Sequence, residues 1–315
     1  MQTLTRPPLT DGQLDFFHRE GYLIAEDVFT EADLRPVIAE VTEAIDERAW
    51  QLVASGALSR TYEELPFETR LAEISRETDK VALSIWNGTL SGPAFFGLIT
   101  TPRLLDVAEQ LCGPELIASS VYRLRPKIPN YNYGAVPWHQ DSGYFEPYCD
   151  KALVLTVWLP LVDADADNGC LWVMPREHTK DVLRHENAPG KSYLQIPGDA
   201  LPQIEPVCAP VKKGGVLLMT NRTPHVSFEN TTDVVRWSMD LRYQSAALPT
   251  NAPITRLAGE SLPAPDQGVP VACYPPEADF LVRSRRRPEQ VLTDPAEFHR
   301  LRREHEAVPM TARWS

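Results

Sequence analysis

Long apolar runs are absent from this 315-residue chain. Nothing in it approaches the roughly 18–20 residues that cross a bilayer as a helix, so no membrane partner is expected. The opening MQTLTRPPLTDGQ lacks the basic-then-apolar order of a secretory leader, which points to the cytoplasm. Cysteine is scarce: Cys112, Cys149, Cys170, Cys208 and Cys273 are odd in number, scattered, and form no C-x-x-C pair. That excludes a disulfide framework and a zinc knuckle, and all five read as reduced, buried structural thiols. Positive charge is in deficit, with 31 Lys+Arg against 43 Asp+Glu and a formal net charge of −12. An acidic chain does not wrap a phosphate backbone, so nucleic acid is not an expected partner. No internal repeat is visible, and no feature specifies an oligomeric state.

What is present is an ordinary globular composition, 43% apolar and 23% charged, which excludes disorder. Thr10 can cap a short helix carrying Leu14, Phe16 and Phe17 and stopping at Gly21; residues 22–29 then read as extended. Thr30 caps a second helix in which Leu34, Val37, Ile38, Val41 and Ile45 recur at helical spacing. Residues 60–100 read as irregular helix with Trp86, Phe95 and Phe96 as core candidates, and Pro102 opens a helix that ends at Gly113-Pro114. From Leu116 the period becomes two. Extended segments are expected at 116–124, 152–161, 170–174, 216–219 and 235–243, punctuated by turn residues as in an antiparallel sandwich or barrel. In the last of them Arg236, Ser238, Asp240 and Arg242 share one face and Trp237, Met239, Leu241 and Tyr243 the other. Seven prolines between Pro249 and Pro276 suggest a lid, and residues 294–305 a final short helix. Helices, then strands, then a tail predict a single domain over 1–315, with its core at about 115–245 and a proline-rich tail over 247–315.

The chemistry concentrates in Trp138-His139-Gln140-Asp141. In a strand, residues two apart point to one side, so His139 and Asp141 can aim an imidazole and a carboxylate at one point. Iron held for oxygen chemistry takes two histidines and one carboxylate on one face and leaves the opposite face open. Alone, H-x-D is a weak signal, and a hydrogen-bonded His–Asp pair is the stronger default. Of the seven histidines, His225 is the favoured third ligand, because it follows an apolar strand opened by Gly214-Gly215 and lies far enough on to return across a barrel. His178, in P-R-E-H-T-K, is the competitor, and its charged loop reads better as surface. His18, His185, His299 and His305 read as solvated. Arg236, eleven residues past His225, sits on the polar face of its strand. If buried it needs an anion, and a ligand carboxylate gripped through two hydrogen bonds is one candidate; a surface arginine paired with Asp240 or Asp233 is the other.

The ordered set WHQDSGYFEP, LVLTVWLPLVDADADNGCLWVMPREH and HVSFEN with arginine eleven residues past the histidine resembles the phytanoyl-CoA dioxygenase family over roughly residues 10–245. These are Fe(II)- and 2-oxoglutarate-dependent oxygenases. The resemblance implies an α+β fold with a double-stranded β-helix core, a jelly roll of cupin type, and N-terminal helices packed on one face. It implies iron bound by His139, Asp141 and His225, and 2-oxoglutarate and O₂ as co-substrates. Arg236 would hold the remote carboxylate of 2-oxoglutarate with help from Ser227, and Tyr122, Gln140 and Trp158 match other co-substrate positions. Because Asp141 is present, where related halogenases carry a small residue, oxygenation is favoured over halogenation. Hydroxylation of a small-molecule substrate, with release of succinate and CO₂, is the expected outcome. A zinc-type hydrolase on the same three ligands and a non-catalytic jelly-roll module are the rivals.

Two other motifs compete for attention. Asp163-Ala-Asp165-Ala-Asp167-Asn168-Gly169 resembles a calcium loop, but its glycine comes one position late and no glutamate closes it, so an acidic turn is expected. Arg283-Ser284-Arg285-Arg286-Arg287 could grip an anion, and a solvated basic face is the plainer reading. Tyr131, Tyr133, Tyr144, Phe145 and Tyr148 flank the H-x-D segment as pocket wall or core.

Overall fold

The computed structural model describes residues 8–87, 90–119, 122–130, 134–145, 147–188, 193–248 and 279–306. The expected proline-rich lid, together with Tyr131, Tyr133, Cys273 and the Tyr148 side chain, lies outside them.

The N-terminal half is helical for the reasons its caps give. Helix α1 (Asp11–Glu20) starts with a reciprocal cap, in which Gln13 N donates to Thr10 Oγ1 and Thr10 N donates to Gln13 Oε1. It ends on Gly21 in the left-handed region at φ 85°. Glycine is required there a second time, because a Cβ would meet the His178 ring at 2.3 Å. Helix α2 (Glu31–Ala54) carries the same cap through Thr30 and Asp33, and buries Leu34, Val37, Val41, Ile45, Ala49 and Leu52 along one stripe. Helices α3 (Phe67–Glu77), α4 (Lys80–Asn87), α5 (Pro93–Ile99) and α6 (Pro102–Cys112) follow, and α7 (Pro295–Glu306) returns to the same side. Each leucine, valine or phenylalanine buried in this layer contributes about 1.5–3 kcal/mol before chain entropy is counted.

Two antiparallel sheets form the other half. The larger runs in the order β1 (Tyr22–Ala25), β10 (Val216–Thr220), β5 (Val154–Pro160), β12 (Arg236–Ser245), β2 (Leu116–Ser119), β13 (Asp279–Arg283), with β3 (Arg123–Lys127) also paired to β12. The smaller runs β4 (Val136–His139), β11 (His225–Ser227), β6 (Leu171–Val173), β9 (Val207–Ala209). Strands β7 (Glu186–Asn187) and β8 (Leu194–Gln195) make a short hairpin. Trp158, Leu217 and Met219 of the larger sheet share a buried cluster with Leu171, Val173 and Ala209 of the smaller. The sheets therefore face one another as the two halves of a double-stranded β-helix, and the helices cover the outer face of the larger one.

Strand β12 is where the layers meet. Trp237, Met239, Leu241 and Tyr243 join the core shared with the helices, and Phe67 stacks on Trp237 at 4.8 Å between ring centroids. Arg236, Ser238, Asp240 and Arg242 point to the other side and are buried all the same. The period-two pattern thus marks the inside of the β-helix, where the alternative was solvent.

Several sequence expectations need correcting. His178 is buried rather than on the surface: its Nε2 lies 3.1 Å from the His18 carbonyl and its ring fills the space beside Gly21. His185 is also buried, with Nε2 accepting from Gln140 N at 3.0 Å. Charged neighbours in sequence misled in both cases, because Arg176 and Lys180 near His178 and Arg184 beside His185 are exposed while the imidazole faces in. The basic run does not offer an anion site through its first two arginines. Arg283 pairs with Asp106 and Glu109, and Arg285 with Glu109, which ties β13 to α6. Cys112 and Cys208 are half-buried, and Cys170 and Cys208 meet with their sulfurs 3.4 Å apart. The acidic turn is as expected: Asp165 Oδ1 accepts from Asp167 N and Asn168 N, a side-chain-closed turn ending at Gly169. Among the described residues no helix is long and apolar enough to cross a membrane.

Candidate metal and co-substrate site

His139 ends β4 and His225 opens β11, and the two are register partners across the small sheet. Pairing alone brings the imidazoles together, with centroids 4.1 Å apart. Asp141 does not reach them by strand alternation. The strand stops at His139, Gln140 stays extended, and Asp141 begins a 3-10 turn, Asp141–Tyr144. That turn is held by Ser142 N donating to the Asn221 carbonyl and by Asn221 Nδ2 donating to Ser142 Oγ. His139 Nε2 lies 4.0 Å from Asp141 Oδ1, and one donor atom from each of His139, Asp141 and His225 falls within 4.8 Å of the others.

The donor set fits a divalent iron. His139 Nδ1 lies 2.8 Å from the Pro137 carbonyl and His225 Nδ1 3.0 Å from the Thr223 carbonyl. Each Nδ1 therefore carries the proton, and each Nε2 is left with a lone pair for the metal. Burial and the neighbouring His225 hold His139 well below the usual imidazole pKa, against the pull of Asp141 and the Pro137 carbonyl, so it is neutral as a ligand must be. Burial would raise the Asp141 pKa. Arg242 and the Thr156 hydroxyl outweigh it and hold the carboxyl below the ordinary range. Two imidazoles and one carboxylate on one side of a point is the set that leaves coordination positions open.

Arg242 shares the buried face of β12 with Arg236. It is committed to the metal end, with Nη2 donating to Asp141 Oδ1 at 2.9 Å. Asp240, the nearest acid to Arg236 in sequence, is taken by Arg125 at 2.9 Å. Arg236 is left inside without an acidic partner among the described residues. It donates to Ser238 Oγ through Nη1 and to Ser227 Oγ through Nη2 at 3.2 Å, its Nε meets no acceptor, and its guanidinium lies over the Trp158 ring at 5.2 Å. Burial, together with Arg125, lowers its pKa to about 10, so it stays charged at neutral pH.

Ser227 and Trp158 are thus at Arg236. Gln140 and Tyr122 are elsewhere. Gln140 donates through Nε2 to the Arg222 carbonyl and accepts from Leu183 N at 2.8 Å, clamping the loops behind the metal ligands. The Tyr122 hydroxyl donates to the Leu90 carbonyl, and its ring stacks on Phe95 and Phe298 in the helical core. Tyr144 stands edge-on to His139 at 5.9 Å, and Phe145 lies under Arg242 at 6.0 Å.

Lys127 was missed altogether. It ends β3 opposite Arg236 in the β12 register, is buried, and donates through Nζ to Ser227 Oγ at 2.6 Å and to the Phe228 carbonyl. The available signal was Pro126-Lys127 at the end of an apolar-alternating segment, which nothing distinguishes from a surface lysine.

A family model described as phytanoyl-CoA dioxygenase matches residues 17–238. A mouse phytanoyl-CoA dioxygenase domain-containing protein 1 is 25% identical over 273 residues, covering 76% of this chain and 91% of that protein. A phytanoyl-CoA dioxygenase of Arabidopsis thaliana is 25% identical over 275 residues, covering 76% and 95%. Among solved structures, a nogalamycin-biosynthesis epimerase in complex with Fe3+ and α-ketoglutarate superposes with a TM-score of 0.54 at 20% identity, over 87% of this chain and 98% of that one. A non-haem monooxygenase superposes at 0.53 with 20% identity, over 76% and 79%.

Proposed function

The chain belongs to the phytanoyl-CoA dioxygenase family and so is a non-haem iron- and 2-oxoglutarate-dependent dioxygenase; from that premise we propose that it hydroxylates a small organic substrate, with His139, Asp141 and His225 as the iron ligands. The observation that carries the reading is the pairing of a two-histidine, one-carboxylate cluster with a buried arginine that has no acid of its own among the described residues.

Iron bound by the three ligands supplies oxygen activation coupled to decarboxylation of 2-oxoglutarate. The protein's own work is geometric and electrostatic. The Pro137 and Thr223 carbonyls fix both imidazole tautomers. Arg242 and Thr156 hold Asp141 ionised and point it inward. Arg236, on Ser227 and Ser238, receives the remote carboxylate of 2-oxoglutarate and so sets which end faces the metal. Trp158 covers the guanidinium and keeps water from it. A hydrolase on the same ligands would leave the Arg236 pocket without a role.

The test is succinate release under Fe(II), ascorbate and air, followed by a small-molecule screen for stimulated turnover and for a product heavier by one oxygen atom. Succinate that appears with wild type and disappears with His225→Ala supports the reading. Release unchanged in His225→Ala, or a stimulating substrate that gains no oxygen, overturns the ligand assignment or the hydroxylation respectively.

A further inference from the structure

Two basic side chains, not one, are buried around Ser227. Arg236 Nη2 and Lys127 Nζ both donate to the Ser227 hydroxyl oxygen, at 3.2 and 2.6 Å. That hydroxyl spends its own proton on the Gly169 carbonyl at 2.9 Å. Among the described residues every acceptor hydrogen-bonded to the pair is therefore a neutral oxygen: Ser227, Ser238 and the Phe228 carbonyl. Burying two like charges side by side without an anion is costly.

The pocket is nonetheless built to keep the lysine there. Asn230 Nδ2 donates to the Lys127 carbonyl at 2.8 Å. Gly169, at φ 83°, leaves no room for a side chain, since a Cβ would lie 2.7 Å from Lys127 Cδ and 2.7 Å from the Phe228 carbonyl oxygen. Two fixed donors aimed at one hydroxyl, with an unmet guanidinium Nε beside them, make a receptor for an anion with more than one oxygen.

Resting on the reading that Arg236 receives the remote carboxylate of 2-oxoglutarate, we propose that Lys127 is the second cation of that pocket, so that the carboxylate is held between Lys127 and Arg236. The groups that set the lysine's charge are few. Arg236 from β12 and Arg125 from its own strand oppose it, and Glu229 after β11 favours it from an exposed position. Cys170 beside β6 is neutral, its thiol pushed up to about 12 by burial and by Cys208. Burial, then Arg236 and Arg125, lower Lys127 to about 6. The pocket without an anion thus holds a neutral amine at neutral pH, and an entering carboxylate draws a proton from the buffer onto Nζ. Between about pH 6 and the ordinary lysine value, affinity for 2-oxoglutarate falls as pH rises.

The experiment is anaerobic calorimetric titration of the Fe(II)-loaded chain with 2-oxoglutarate and with 2-oxobutyrate, which has the same keto-acid end and no remote carboxylate. Heats in phosphate and in Tris at neutral pH give the protons taken up. Expected are uptake approaching one proton with 2-oxoglutarate and none with 2-oxobutyrate. Lys127→Met should lose about tenfold or more of the preference for 2-oxoglutarate, and the uptake with it. A Lys127→Met protein that binds iron and keeps the full preference overturns the proposal. If that variant does not load iron, the wild-type proton count decides alone, and zero uptake overturns it. Arg236→Ala separates the underlying reading: if it keeps the preference, the remote carboxylate is not in this pocket at all. If Arg236→Ala loses the preference and Lys127→Met does not, only the second cation is wrong.

Discussion

Strand β12 carries two buried arginines on one face, six residues apart, and the protein treats them in opposite ways. Arg242 has a carboxylate at 2.9 Å and spends its charge keeping Asp141 ionised. Arg236 has two hydroxyls, an aromatic ring and a neighbouring lysine. The first is an internal ion pair whose acid is already in the chain. The second is half of an ion pair whose other half must come from outside. Same strand, same face and same residue type give one structural and one receptive charge, because their neighbours on β3, β5 and the 3-10 turn differ.

The sharpest break in that comparison is removal of Asp141, which disables one end outright. Asp141→Ala should abolish turnover and most iron binding, since the cluster loses its one charged ligand. His178→Ala should leave iron loading intact, because that ring packs against Gly21 and the His18 carbonyl. Stoichiometric iron in Asp141→Ala, measured by elemental analysis, would contradict the assignment.

Arg242→Met tests whether that charge is structural. Stranding Asp141 in the interior should cost about 3–5 kcal/mol of unfolding free energy, read by denaturant titration of the metal-free protein. The pH dependence has a definite sign. The folded Asp141 pKa is depressed, so its contribution is present above the unfolded value near 3.9 and is lost as pH falls below it. Arg242→Met should therefore show a shallower loss of stability on acidification than wild type.

At the receptive end, Arg236→Ala should leave iron binding nearly unchanged and weaken 2-oxoglutarate by about 2–5 kcal/mol, tens- to thousands-fold. Arg236→Lys should recover only part, since an ammonium lacks the planar two-bond grip. Anaerobic titration followed by the metal-to-ligand absorption band gives each affinity. If Arg242→Ala abolishes the band while Arg236→Ala preserves it, the roles of the two arginines are reversed.

The smallest effect is expected at Trp158. Trp158→Leu removes the ring under the guanidinium but no hydrogen bond, so 2-oxoglutarate binding should weaken by about 0.5–2 kcal/mol. A loss as large as that of Arg236→Ala would mean that the ring orients the co-substrate directly.

Much of the molecule was legible because its signals are local. Thr10 and Thr30 cap helices through residues three positions on, and Gly21 stops a helix because only glycine adopts its dihedral cheaply and fits beside His178. The alternation through 236–243 separates two environments on opposite faces of one strand, and it was readable without knowing what those environments were. His139, Asp141, His225 and Arg236 could be singled out by residue type and order.

Tertiary structure decided everything that depends on which strands become neighbours. Antiparallel pairing of β4 with β11 brings the two imidazoles together, and a 3-10 turn locked by Asn221, rather than strand alternation, turns Asp141 toward them. The β12–β3 register puts Lys127 beside Arg236 and gives Asp240 to Arg125. Residue type says what charge a side chain can carry. Whether that charge is already answered depends on partners tens to more than a hundred residues away, as with Arg242 and Asp141, and only the packed sheets bring them together.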